Sequence, residues 1–311
     1  MAKKIPYGLT DYVLVMTDNY YYVDKTQYIN MLEQTARFLF LIRPRRLGKS
    51  LFLNMLNCYY DVKYADRFEE LFGNQYIGKH PTAEQGKYLV LRFNFSMVRA
   101  TDDKLEAAFN RHISLETAYF ASVYASYFKP DFQEQLKLIP EAAGRLEYIC
   151  LCAKEQGLSI YLLIDEYDNF TNTILSSKGN DVYHSLTHDS GFYSSFFNVV
   201  KGVTTGAEAP VKRMFITGVS PVTLDDVTSG FNIGTNITTN EQFNSMVGFS
   251  ESELHEMLSY YQSEGMLADS IDDIVRMMKP WYDNYCFAKE CIGQTMYNSD
   301  MVLYFLNNYL Q

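Results

Sequence analysis

Three groups of residues carry types and spacings that suit phosphate chemistry: Gly48-Lys49-Ser50, Asp165-Glu166, and the hydroxyls Thr217 and Ser220. A glycine followed by a lysine and a hydroxyl suits a polyphosphate. The backbone can approach at Gly48, Lys49 supplies a cation for the β/γ oxygens, and Ser50 Oγ is a ligand for magnesium. The adjacent acids suit the complementary half. Asp165 would hold the hydration shell of Mg2+, and Glu166 would orient and deprotonate an attacking water. Thr217 and Ser220 would sense the γ-phosphate or that water; the other reading of Ser220-Pro221 is a plain turn.

The elements that must position these groups are visible as apolar runs. Phe38 to Ile42 is apolar throughout and stops at Arg43-Pro44-Arg45-Arg46-Leu47-Gly48-Lys49-Ser50, as a parallel strand buried on both faces would. Phe52, Met55, Leu56 and Tyr59 then fall at i, i+3, i+4 and i+7, which predicts a helix whose N-terminus, near Gly48, faces an anion. Ile160 to Ile164 is a second such strand and ends in Asp165-Glu166; Arg213 to Pro221 is a third, apolar until small polar residues at its carboxyl end, and Lys87 to Ser96 a fourth. Helical periodicity over 101–157 and over Asp181–Thr205 separates them, so strands alternate with helices and a parallel sheet follows. From Glu241 onward the strands cease and amphipathic helices follow at 252–263 and 269–278, with Lys279-Pro280-Trp281 opening the last part. The expected architecture is α/β: a P-loop NTPase-type parallel sheet of about five strands flanked by helices, with a core at 1–240 and a small helical, lid-like domain at 241–311.

The nucleotide-binding loop predicted from these signals comprises Arg43, Pro44, Arg45, Arg46, Leu47, Gly48, Lys49, Ser50 and Leu51. Only its second half follows the usual spacing Gly-x-x-x-x-Gly-Lys-Ser/Thr, which would put the first glycine at Arg43. A side chain there restricts how closely the backbone wraps phosphate, so a binding module with little hydrolysis stands beside a hydrolysing enzyme. Two adjacent arginines repel each other unless an anion lies between them. One of Arg45 and Arg46 is expected to hold phosphate while the other pairs with an acid such as Asp168; the alternative is that both are braces. Ile5, Pro6 and Tyr7 are candidates for packing on the base, or for covering the sheet edge, and Lys25 is either a phosphate contact or a surface charge.

Taken together these stretches resemble the bacterial AAA-ATPase-like family of P-loop ATPases. The resemblance is carried by Arg43-Pro44-Arg45-Arg46-Leu47-Gly48-Lys49-Ser50, Tyr22-Val23-Asp24-Lys25-Thr26, Asp165-Glu166-Tyr167-Asp168 and Thr217-Gly218-Val219-Ser220-Pro221. Gly230-Phe231-Asn232 and Trp281-Tyr282-Asp283-Asn284-Tyr285 extend it. It implies ATP as ligand, beside the residue-level reading that makes Lys49, Glu166, Thr217 and Ser220 the catalytic groups and puts Mg2+ on Ser50 and Asp165. It also implies that longer relatives carry a C-terminal nuclease-like domain of the PD-(D/E)XK type. No such domain is visible in this sequence.

Composition narrows the partners. Hydrophobic residues make up 47% of 311 positions, enough for a sizeable core, and the net charge of −10 argues against a nucleic-acid surface spread over the chain. No apolar run approaches the roughly 18 residues of a membrane span, and no signal-peptide core follows the first lysines, so a cytoplasmic protein is expected. The five cysteines form no metal spacing and read as reduced thiols; His184 and His188 stand at i, i+4 without a zincin glutamate and read as a solvated face. An oligomer is compatible with this composition.

Overall fold

The computed structural model describes residues 1–98, 104–187, 191–221 and 234–310. Its centre is a five-stranded sheet of β1 (Phe38–Ile42), β2 (Leu89–Asn94), β3 (Ile160–Asp165), β4 (Val211–Gly218) and β5 (Thr235–Asn236), in the order β2-β3-β4-β1-β5. Every pairing in it is parallel. The apolar runs form these strands because alternate residues bury on opposite faces. Leu39, Leu41, Tyr161, Leu163 and Phe215 enter one apolar cluster, whereas Phe40, Leu162, Ile164, Met214 and Ile216 enter the other.

Helices cover both faces. On the first lie α1 (Tyr12–Thr17), α2 (Gln27–Thr35) and α3 (Lys49–Tyr60); on the second lie α4 (Leu105–Val123), α5 (Ala142–Glu155) and α6 (Phe192–Thr204). The architecture expected from sequence, a parallel five-stranded α/β sheet of P-loop NTPase type, is the one observed. C-terminal to it, α7 (Glu251–Ser263), α8 (Ile271–Tyr282) and α9 (Ser299–Tyr309) close a third apolar cluster, against which Ile5, Tyr21 and Val23 also pack.

Several local expectations are corrected. Strands do not cease at Glu241: β6 (Asp283–Tyr285) and β7 (Met296–Tyr297) form a two-stranded antiparallel pair among the C-terminal helices. The helix expected over Asp181–Thr205 is split into one at Asn180–Thr187 and α6, before which Gly191 takes an extended N-cap conformation. Pro280 does not open a new element. It lies near the end of α8, and its missing N–H costs one helical hydrogen bond there. His188 and Gly230-Phe231-Asn232 lie outside the described residues.

Candidate functional site

The chemistry-bearing residues gather beyond the carboxyl ends of β1, β3 and β4, where open α/β sheets bind ligands. β1 leads through the loop to Gly48, which caps α3 at φ 88°, a left-handed backbone suited to glycine. The cap contributes no side chain, so the first N–H groups of α3 remain directed at whatever lies above the helix. Lys49 is 5% exposed, and its Nζ donates to the carbonyls of Arg43 at 2.9 Å and Pro44 at 2.8 Å. Burial lowers its pKa, opposed by the nearby carboxylates of Asp165, Glu166 and Asp168.

Ser50 Oγ donates to Asp165 Oδ2 at 2.7 Å, and Thr217 Oγ1 donates to Asp165 Oδ1 at 2.7 Å. Asp165 is fully buried, so both of its oxygens are held by hydroxyls from the helix start on one side and from β4 on the other. Glu166 follows at φ 51°, an uncommon backbone for a residue with a side chain and a mark of functional sites. Its carboxylate accepts from Asn169 Nδ2 at 3.1 Å. Burial, then Asp165, pushes its pKa above the ordinary carboxylate range, against the pull of Lys49 and Arg45.

A cavity of about 290 Å³ opens over this helix start. Gly48, Lys49 and Ser50 line it, with Glu166 at one side. Pro6 and Tyr22 from the N-terminal segment and Met257 from α7 add apolar wall. Of the base-packing candidates, Pro6 alone reaches it; Tyr7 packs its ring on Tyr304, 5.4 Å between centroids, and Ile5 joins the C-terminal cluster. Lys25 also lines the cavity and is 7% exposed, so it is not a surface charge.

The arginines divide. Arg43 is fully buried with its guanidinium turned toward the C-terminal half: Nη1 donates to Thr238 O at 2.6 Å and Ile42 O at 3.0 Å, Nη2 donates to Phe243 O at 3.0 Å, and the group lies 3.9 Å over the Phe287 ring. Only its carbonyl faces Lys49. Burial without a carboxylate partner lowers its pKa to about 10. Arg46 takes φ 67° and lines the cavity. Its Nε lies 3.8 Å from Asp300 Oδ2, and its carbonyl accepts from the Asp300 N–H at 3.2 Å and Ser299 Oγ at 3.3 Å, which docks the start of α9 on the loop. Pro44 and Arg45 stay outside the cavity lining, with Arg45 exposed; Leu47 is buried beneath it, and Leu51 borders it.

Neither Arg45 nor Arg46 pairs with Asp168. That carboxylate is buried and accepts from the N–H groups of Val219 at 3.1 Å and Ser220 at 2.5 Å, and from Asn172 Nδ2 at 2.9 Å. It shapes the turn after β4. Gly218 is needed there because a Cβ would stand 2.2 Å from the Tyr167 ring. Ser220 is thus held through its backbone: its N–H donates to Asp168 and its carbonyl accepts from Tyr167 OH at 2.5 Å. Sequence reasoning missed the partners of Arg43 and Arg46. Thr238, Phe243, Phe287 and Asp300 lie far away along the chain and form no motif with the loop.

A parallel sheet with a Gly-Lys-Ser helix start, tied through the serine hydroxyl to a strand-end aspartate, defines a P-loop NTPase-type fold. The family model described as predicted AAA-ATPase matches residues 6–228, well over half of the chain, and the chain belongs to that AAA-ATPase-like family. It is also 25% identical, over 97% of its length, to an uncharacterised protein in the vnfD 5′ region of Azotobacter chroococcum mcd 1. The match takes in 52% of that relative, so the chain spans about half the length of the curated protein it resembles. Among the described residues, no helix is long and apolar enough to cross a membrane.

Proposed function

We propose that the chain binds ATP with Mg2+ over the start of α3 and hydrolyses it, acting as a nucleotide-dependent switch. The observation that supports this most directly is the 2.7 Å hydrogen bond from Ser50 Oγ to Asp165 Oδ2, which joins the two motifs that a magnesium–nucleotide site requires. The donor set fits the ion. Mg2+ takes hard oxygen ligands and keeps several waters, so a hydroxyl and one carboxylate suffice. When bound, it neutralises charge on the β/γ oxygens.

The protein's own groups do the rest. The N–H groups at the start of α3 bind phosphate, and Lys49 adds a cation. Glu166 takes a proton from the attacking water at its carboxylate; a raised pKa suits a base that works near neutrality. Thr217 fixes the orientation of Asp165. In this reading 1–240 is the catalytic core and 241–311 the lid-like part of a cytoplasmic protein. It regulates a protein partner or a nuclease-like domain of the kind that the family resemblance implies.

Calorimetric ATP titration with phosphate-release kinetics tests the reading. Wild type should bind ATP in the presence of Mg2+ and release phosphate; no binding at millimolar ATP would refute it. A binding module with little hydrolysis draws support from Arg43, which stands where the usual loop has its first glycine and restricts how closely the backbone wraps phosphate. Single-turnover hydrolysis separates the two, since a module leaves bound ATP intact.

A further inference from the structure

Asp24, Lys25 and Thr26 are consecutive, but their side chains serve different parts of the protein. Asp24 Oδ2 accepts from the Tyr76 N–H at 2.6 Å, and Thr26 Oγ1 accepts from the Ile77 N–H at 3.1 Å. These bonds pin the segment to the core. The Lys25 side chain leaves the other way, and its Nζ donates to Ser245 O at 2.8 Å and to Glu253 Oε1 at 2.6 Å on α7. Glu253 also holds the helix start, since its Oε2 accepts from the Ser250 N–H at 2.8 Å and closes a capping box there.

Three features make Lys25 more than a brace. It lines the same cavity as Gly48, Lys49 and Ser50. An ammonium has three donors, and two acceptors are present among the described residues, so one N–H is available to a ligand in the cavity that Lys25 lines. The pair is also desolvated, with side-chain exposures of 9% and 20%, so the ammonium is poorly hydrated and responds strongly to added negative charge. Burial holds Lys25 below the ordinary lysine range even though Glu253 opposes the shift.

We propose that Lys25 is a second lysine of the nucleotide site, whose ammonium exchanges the Glu253 carboxylate for a phosphate oxygen of the bound nucleotide. Phosphate and Glu253 then compete for one cation. Glu253 keeps its capping bond after the exchange, while the charged one of the links between the N-terminal segment and α7 opens and the Tyr21 and Val23 packing stays, so nucleotide binding is felt by the C-terminal helices. The inference rests on the ATP reading above.

Opposite signs at the two ends of one ion pair test it. ATP and adenosine affinities are measured by calorimetry, and melting temperatures without nucleotide, for wild type, Lys25→Met and Glu253→Gln. Lys25→Met should weaken ATP binding by about tenfold or more and leave adenosine binding unchanged. Glu253→Gln removes the competitor but keeps a capping oxygen; it should tighten ATP binding even though its melting temperature falls. A purely structural brace would move both variants the same way. The inference is overturned if Glu253→Gln weakens ATP binding, if Lys25→Met binds ATP like wild type, or if ATP and adenosine lose equally. Should Lys25→Met fail to fold, Glu253→Gln alone decides by its sign. Wild type that does not bind ATP would defeat the functional reading itself, whereas wild-type binding with an unaffected Lys25→Met defeats only this exchange.

Discussion

Residues 43–46 and 47–50 are adjacent halves of one loop that put their charged side chains to different uses, although Arg46 also lines the cavity and the Leu47 carbonyl accepts from the Gly248 N–H at 2.8 Å. The first half is fastened to the C-terminal region: Arg43 reaches carbonyls of Thr238 and Phe243, and Arg46 receives the start of α9. The second half turns its backbone, Lys49 and Ser50 toward the cavity and Asp165. A loop dense in positive charge therefore need not direct that charge at a ligand. The buried guanidinium of Arg43 organises backbone, whereas the ammonium of Lys49 remains beside three carboxylates and the helix start.

The sharpest test of this division is at the catalytic side. Glu166→Gln is expected to lower ATP turnover by about 10²–10⁴-fold with ATP affinity kept, and unchanged single-turnover rates would remove Glu166 from its assigned role. Lys49→Ala should weaken ATP binding about a hundredfold or more while the fold persists; equal affinity by titration would contradict the binding half of the comparison. On the fastening side, Arg43→Met should destabilise the protein by about 2–4 kcal/mol in urea unfolding, because buried carbonyls lose their donors. Its folded fraction should still bind ATP with near wild-type affinity, and a large affinity loss would return Arg43 to the binding half.

Acidity probes the same contrast more gently. A Glu166 that acts as the proposed base works deprotonated, and its pKa is raised, so hydrolysis should fall as pH drops through a value above the usual carboxylate range of about 4.3. A rate that stays flat down to that range would exclude Glu166 as the titrating group. The smallest effect belongs to Arg46→Ala, whose 3.8 Å contact to Asp300 is exposed on the arginine side and should contribute under about 1 kcal/mol in the same unfolding assay.

The strands that carry the site were legible because β1, β3 and the second half of β4, from Met214, are buried on both faces and end where polar residues begin. β5 was not, since Thr235 and Asn236 are exposed and contribute only two residues to the edge. Motif order puts Ser50 and Asp165 at one metal, and the direct hydrogen bond between them does not follow from it. Nor does the fastening of Arg43, because hydrogen bonds to carbonyls some 200 residues away depend on shape rather than on side-chain type. Asp168 shows the same limit: it read as an arginine partner, and it instead collects backbone N–H groups of the turn after β4.

Strand order also sets a timetable for synthesis. Among the described residues, β1 is paired only with β4 and β5, from Phe38 opposite Met214 to Phe40 opposite Asn236. A ribosome therefore releases Phe38–Ile42 about 170 residues before its first neighbour exists. At ordinary elongation rates this apolar strand waits on the order of ten to thirty seconds without a partner. Nascent chains stalled before residue 211 should then be protease-sensitive around β1 and should engage chaperones, and chains stalled well past residue 236 should not. Protection of β1 in the shorter chains would show that it finds shelter outside its own sheet.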